Sequence, residues 1–144
     1  MTFVTRTPVR FAHIDAAGIV FYPRYFEMIN AALEDFFAEV VGVDFNVLHL
    51  ERGIGVPTVK LDSAFQAPGR LGEMLDIAVS VDRCGNSSAT LRFEVTCNGA
   101  PRMTVRSVIV CMDLKSAQSR PWPQDIHARL APASPPVPYG GGCA

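Results

Sequence analysis

Phe11-Ala12-His13-Ile14-Asp15-Ala16-Ala17-Gly18-Ile19-Val20-Phe21-Tyr22-Pro23-Arg24-Tyr25 joins an apolar, strand-like run to the longest helical pattern in the chain. Within a few residues it holds a carboxylate, a glycine and a proline suited to a helix start. Upstream, Phe3, Thr5, Thr7, Val9 and Phe11 alternate loosely, as in a strand over 2–11. Pro8 sets one side of that strand at an edge or bulge. A loop follows from Ala12 to Tyr22. From Pro23 onward the period changes. Phe26, Ile29, Leu33, Phe36 or Phe37, and Val40 recur at three and four residues, an apolar stripe about five turns long. Pro23 fits the first turn, where a missing N–H costs nothing. Glu27 complements the helix dipole, and Gly42 fits the C-terminal cap. So wide an apolar face needs a sheet to lie against.

Working outward, Asp44 reads as the cap of a short second helix over 45–51, closed by Arg52-Gly53-Ile54-Gly55. Strand patterns follow. The run 56–66 carries Val59, Leu61, Ser63 and Phe65 on one face. Ala67-Pro68-Gly69-Arg70 is a turn. Residues 73–83 carry Leu75, Ile77, Val79 and Val81, and Gly85-Asn86 breaks them from 87–97. Asn98-Gly99 is a hairpin signal, and 100–112 is the last long strand. Residues 114–120 are polar and loop-like. The order of strand, long helix and four strands predicts an α+β fold, a five-stranded antiparallel sheet wrapped around one central helix. The domain is expected over 1–120. The Pro- and Gly-rich segment 121–144 is expected to trail from it as a flexible tail without regular structure.

Composition narrows the function. Hydrophobic residues make up 49% of the chain and charged residues 19%, an apolar balance that anticipates cover by another subunit. A formal net charge of −1 gives no basic field for nucleic acid. No run approaches the roughly 20 apolar residues of a membrane helix, and the first residues lack a signal-peptide core. Cys84, Cys97, Cys111 and Cys143 form no C-x-x-C pair and have no His at zinc-ligand spacing. Cys97 and Cys111, inside strand-like runs, read as small buried hydrophobes in a reducing cytoplasm, and no metal or separate cofactor is expected.

Asp15 is the first candidate for chemistry. Its neighbours Ile14, Ala16, Ala17 and Ile19 are apolar, Gly18 lets the backbone pass close to a ligand, and the coming helix aims unsatisfied N–H groups at the loop. A carboxylate there can attack or activate water while the amides hold an oxyanion; the competing reading is a loop Asp capping a turn. His13, two residues earlier, is either structural or a base, and on a persisting strand would share a side with Asp15. His49 and His127 read as surface residues. Asn30, a polar interruption in an apolar helix face, either bonds neighbouring backbone or meets a polar group on a substrate. Glu34 stands one turn on. Arg83-Cys84-Gly85-Asn86-Ser87-Ser88 is a hairpin loop or a set of donors for phosphates. No Gly-x-Gly-x-x-Gly, Walker, Gly-x-Ser-x-Gly or His-Glu-x-x-His motif occurs.

The string from Asp15 to Phe26 resembles the signature of the hotdog-fold 4-hydroxybenzoyl-CoA thioesterase family, Asp-x-x-Gly-[Ile/Val]-Val-aromatic-x-x-x-Tyr. The likeness extends weakly over 3–113. It implies a hotdog fold, a homodimer that assembles into a homotetramer, and an acyl-CoA lying between subunits, CoA being part of the substrate. It gives Asp15 the role of nucleophile or general base, and the backbone N–H at Tyr22 that of polarising the thioester carbonyl. Gly18, Phe26 and Asn30 fall in the substrate region, and Arg83, Ser87 and Ser88 on the CoA-contacting turn. Two departures and one branch marker stand out. Asn30 replaces the Asp that meets the substrate hydroxyl. Pro23 stands where the aliphatic and acyl-carrier branch often has His, which leans this chain towards aroyl-CoA. The 83–88 turn lacks an Arg/Lys cluster. The implied reaction is hydrolysis of an aromatic, hydroxybenzoyl-like acyl-CoA. The alternatives are a short-chain acyl-CoA or acyl-carrier-protein thioesterase of the same fold, or a non-catalytic acyl-CoA-binding protein.

Overall fold

The alternation ahead of the Asp15 stretch becomes β1 (Phe3–Pro8), and the helical stripe becomes α1 (Tyr22–Phe36), which widens into a π-type turn over Phe37–Val41. This is a computed structural model, and it describes residues 2–131. Gly42 ends the helix at φ +81, its N–H on the Phe37 carbonyl at 2.8 Å, as the sequence predicts. Asp44 accepts the Val47 N–H at 2.9 Å and starts the short helix Asn46–Glu51. The strands that follow are β2 (Ile54–Gly55), β3 (Thr58–Phe65), β4 (Met74–Cys84), β5 (Ser88–Cys97) and β6 (Ala100–Val110). The β5–β6 turn holds Asn98 and Gly99 at φ +50 and +81, the left-handed pair that a tight hairpin demands.

One five-stranded sheet results, ordered β1-β4-β5-β6-β3, with every pairing antiparallel. Leu75, Ile77 and Val79, Leu91, Phe93 and Val95, and Met103, Val105 and Ile109 line its inner face, all essentially inaccessible to water. Tyr25, Met28, Ile29, Ala32, Leu33 and Phe36 of α1 lie buried in the same core. This is the hotdog arrangement. Cys84, Cys97 and Cys111 are free thiols, the last two buried; Cys143 lies outside the described residues. None of the described helices is long and apolar enough to cross a membrane.

Three expectations change. The first concerns β3. Leu61, Ser63 and Phe65 do share a face, opposite Ser107, Val105 and Met103, but a bulge between Thr58 and Lys60 shifts the register at Val59. Every residue of β3 is exposed, because this edge strand has only β6 beside it. Second, the last long strand stops at Val110. β7 (Met112–Asp113) pairs with β2 and with β8 (Gln118–Ser119), which lies in the expected loop. Third, the domain does not end at residue 120. Trp122 is buried and its indole N–H donates to the Ser88 carbonyl at 3.1 Å. α2 (Gln124–Leu130) then buries Ile126 and Leu130 in the same core. Pro121 and Pro123 flank the tryptophan and α2 follows them, so their missing N–H groups break no helical ladder. Residues 132–144 of the expected tail lie outside the described residues.

Candidate active site

The Asp15 stretch folds as a small hairpin. Ile14 and Val20 pair antiparallel. The Asp15 N–H donates to the Ile19 carbonyl at 2.9 Å and the Gly18 N–H to the Asp15 carbonyl at 3.0 Å, with Gly18 at φ +78. The β3–β4 connection braces this hairpin from one side. Val20 N–H meets the Gly69 carbonyl at 2.9 Å, Leu71 N–H meets the Gly18 carbonyl at 3.3 Å, and Ile19 bridges Arg70. Phe21 N–H donates to the His13 carbonyl at 2.8 Å, which carries the chain directly into α1. Pro23 takes the first turn of that helix. Among the described residues no acceptor meets the Tyr22 N–H, so one helix-start amide stays open to a ligand.

Asp15 itself is exposed, as are Ala16 and Ala17. The buried, apolar setting that its neighbours suggest is not built by this chain: residues 15–17 form the exposed tip of the hairpin. One carboxyl oxygen accepts the Ala17 N–H at 2.8 Å, an Asx turn, and the other carries no bond from within the described residues. His13 does not bond Asp15; its Nδ1 accepts the Arg10 N–H at 2.8 Å.

Tyr22, Phe26, Asn30 and Glu34 follow one another at four-residue steps, one ridge along α1. The Tyr22 ring is 61% exposed and meets Phe65 of β3 edge-on, centroids 6.5 Å apart. Phe26, Asn30 and Glu34 line a groove of about 880 Å³ between α1 and β3, with Phe45, Leu61 and Met112 among its apolar walls. Asn30 lines that groove and is exposed rather than partly buried, so its amide is under no demand for a backbone partner. His49 also lines it, half-buried, its Nδ1 2.9 Å from the Phe45 carbonyl and its ring edge-on to Phe45. The expectation of a surface His49 therefore fails. The spacing Phe45 to His49, one turn behind an Asp cap, was the signal that placed it inward.

Arg83, Ser87 and Ser88 are not brought to this place. They sit at the far end of β4 from Met74, whose partner Pro8 leads into the Asp15 stretch. Eleven residues of strand at about 3.3 Å per step put the two ends about 33 Å apart. The turn is also tied down: Gly85 N–H donates to the Ser88 carbonyl, Cys111 N–H to that of Ser87 and Trp122 N–H to that of Asn86, at 2.8, 2.8 and 2.9 Å. Within one chain, then, Asp15, Gly18 and Tyr22 cluster at the start of α1, Phe26 and Asn30 run down the adjoining groove, and the 83–88 turn faces elsewhere.

With this geometry in hand, known proteins supply a frame. Residues 9–130 match the model of the thioesterase-like superfamily. A 1,4-dihydroxy-2-naphthoyl-CoA hydrolase of Thermosynechococcus vestitus is 28% identical over 126 residues, spanning 87% of this chain and 86% of the relative. The solved gentisyl-coenzyme A thioesterase superposes with a TM-score of 0.80 at 27% identity, covering 86% of this chain and 98% of its own. A thioesterase-superfamily structure from Jannaschia sp. CCS1 shares the fold at a TM-score of 0.84 and 22% identity, over 92% of this chain and 94% of its own.

Proposed function

As a member of the thioesterase-like superfamily this chain is a thioester hydrolase, and we propose that it cleaves a hydroxylated aromatic, hydroxybenzoyl-like acyl-CoA to the free acid and CoA. The observation that carries the reading is the Tyr22 amide, left open at the start of α1 beside the hairpin that holds Asp15. A thioester carbonyl accepting that N–H has its oxygen polarised by the helix end as charge develops. Asp15 either attacks the carbonyl carbon, expelling the CoA thiolate and leaving an anhydride that water opens, or takes a proton from the water that attacks. Both routes end with one acid, one thiol and a regenerated carboxylate.

The acyl group lies along the α1 groove. Phe26, Phe45 and Leu61, which line it, suit a flat apolar ring, and in this reading Asn30 bonds a ring hydroxyl. The relatives support this class, since the names of two of them specify dihydroxylated aromatic acyl groups. Asn30, unlike an aspartate, both donates and accepts, so it suits a neutral hydroxyl.

The working unit in this proposal is a homodimer. β3 is an edge strand carrying exposed Val59, Leu61 and Phe65, a template for antiparallel pairing with a second copy. Such a pairing covers the groove and buries the Asp15 tip. It also offers the partner's 83–88 turn, with its Arg and Ser donors, to the CoA arm. Pairing of such dimers into a homotetramer belongs to the same proposal. The supply of CoA esters and the free thiols at Cys84, Cys97 and Cys111 suit the cytoplasm. Thiol release from 4-hydroxybenzoyl-CoA, benzoyl-CoA and butyryl-CoA tests the substrate class. The expected kcat/KM favours the hydroxylated ring over butyryl-CoA by about 100-fold, worth nearly 3 kcal/mol; equal or reversed rates refute it.

A further inference from the structure

Tyr25 places a hydroxyl where the packing needs only a ring. The residue is 3% exposed, its ring lies 6.0 Å from that of Phe65, and its oxygen accepts the Gly69 N–H at 2.8 Å. Burial pushes this hydroxyl above the usual tyrosine range, against smaller lowering by the Gly69 N–H and the Arg102 charge, so it stays neutral near pH 7. The same Gly69 presents its carbonyl to Val20 N–H at 2.9 Å, and the next turn of chain ties Leu71 N–H to the Gly18 carbonyl. The α1 hydroxyl is thereby linked, through one residue, to the backbone that carries Asp15 and opens the helix.

The back of this connection is held as firmly. Arg102, 16% exposed, donates to Glu73 Oε2 at 2.8 Å and to the Pro68 carbonyl. Glu73 Oε1 accepts the Arg70 N–H at 2.6 Å. Residue 69 has no room for a side chain: a Cβ there would stand 2.7 Å from the Tyr25 oxygen and 3.1 Å from Val20 Cγ2. The Pro68-Gly69 turn is glycine because a helix hydroxyl reaches its backbone.

We propose that Tyr25 is a positioning residue for the hydrolysis: its bond to Gly69 fixes the 66–73 connection against the Asp15 hairpin and so sets the carboxylate and the Tyr22 N–H relative to each other. This rests on the assignment of Asp15 given above. A misplacement on the order of 1 Å can cost a reaction about 100-fold, and a loosened brace acts on turnover more than on binding. In the full chain, Tyr25→Phe is expected to lower kcat for 4-hydroxybenzoyl-CoA about 10- to 100-fold with KM held within about twofold. Gly69→Ala, which drives a methyl into the same hydroxyl, gives a comparable loss. The double variant is no slower than Gly69→Ala alone, because a phenyl ring at that helix position lacks the oxygen that the new methyl meets; additive losses contradict the linkage.

Amide exchange supplies a readout that needs no activity. In Tyr25→Phe, protection at Val20 and Leu71 should fall at least about tenfold while that at Leu91 and Phe93 in β5 stays constant. Unchanged kcat together with unchanged protection overturns the proposal, as does an equal loss of protection across β5. A wild-type chain that hydrolyses no CoA ester sinks the functional reading, and the exchange result still decides the brace.

Discussion

Val59→Asp isolates the claim that the site is completed by a second copy. Val59 lies on the edge strand β3, is 61% exposed, and takes no part in lining the α1 groove. Fully burying a valine is worth roughly 2 kcal/mol, so about 1 kcal/mol remains to be gained when a partner covers the rest. An aspartate forfeits that gain and adds at least about 2 kcal/mol for a polar group desolvated without a partner. A two-fold interface counts each change twice, giving about 6 kcal/mol, or roughly 10⁴-fold in the dimer dissociation constant. Within one protomer the change is mild, because the side chain stands in water on an edge. Sedimentation from nanomolar to micromolar protein, run beside circular dichroism and a thermal melt, measures both. The variant should be a folded monomer with a melting temperature near that of the wild-type protomer, and its hydrolysis should fall in step with the dimer fraction. A wild-type monomer, a dissociation constant within tenfold of wild type, or full turnover by the monomeric variant would each refute the reasoning.

Two further outcomes follow. Ile126 is completely buried in the core that also holds Trp122 and Leu130, so Ile126→Ala should cost about 3 kcal/mol and lower the calorimetric melting temperature by roughly 10 °C; an unchanged melt would return residues 121–131 to a loose tail. Asn30→Ala should reduce kcat/KM for 4-hydroxybenzoyl-CoA about tenfold, the worth of one hydrogen bond to a buried hydroxyl, while benzoyl-CoA turnover changes less than about twofold. Equal losses on both substrates would remove Asn30 from substrate recognition.

Local signals in the sequence carried most of the fold. Gly42 ends the helix because only a left-handed residue fits its cap, Asn98-Gly99 turns the β5–β6 hairpin, and the change of period at Pro23 marks the start of α1; each is decided within a few residues. Trp122 escaped because proline content argues against regular structure, while its burial depends on a space beside Ser88 and Cys111 that exists only after the sheet is assembled. The Asp15 motif gave the position of the hairpin but not its exposure. Apolar neighbours predict burial only if something covers them, and within this chain nothing covers the tip at residues 15–17. The 83–88 turn matched a CoA-contacting position in sequence, yet the length of β4 sets it at the opposite end of the sheet. Tyr25 stood only as the last position of the motif, outside the apolar stripe; its hydroxyl, which accepts the Gly69 N–H, was the one polar atom that could signal a second role.

The central claim is that the Asp15 carboxylate performs the hydrolysis at the open end of α1. Asp15→Asn changes one oxygen to a nitrogen on an exposed tip and keeps the side-chain oxygen that accepts the Ala17 N–H, so the fold and the binding of CoA ester should persist. Single-turnover thiol release from 4-hydroxybenzoyl-CoA with enzyme in excess should slow by roughly 10³-fold or more, with substrate still bound. Release at the wild-type rate, with substrate bound as before, would contradict the account.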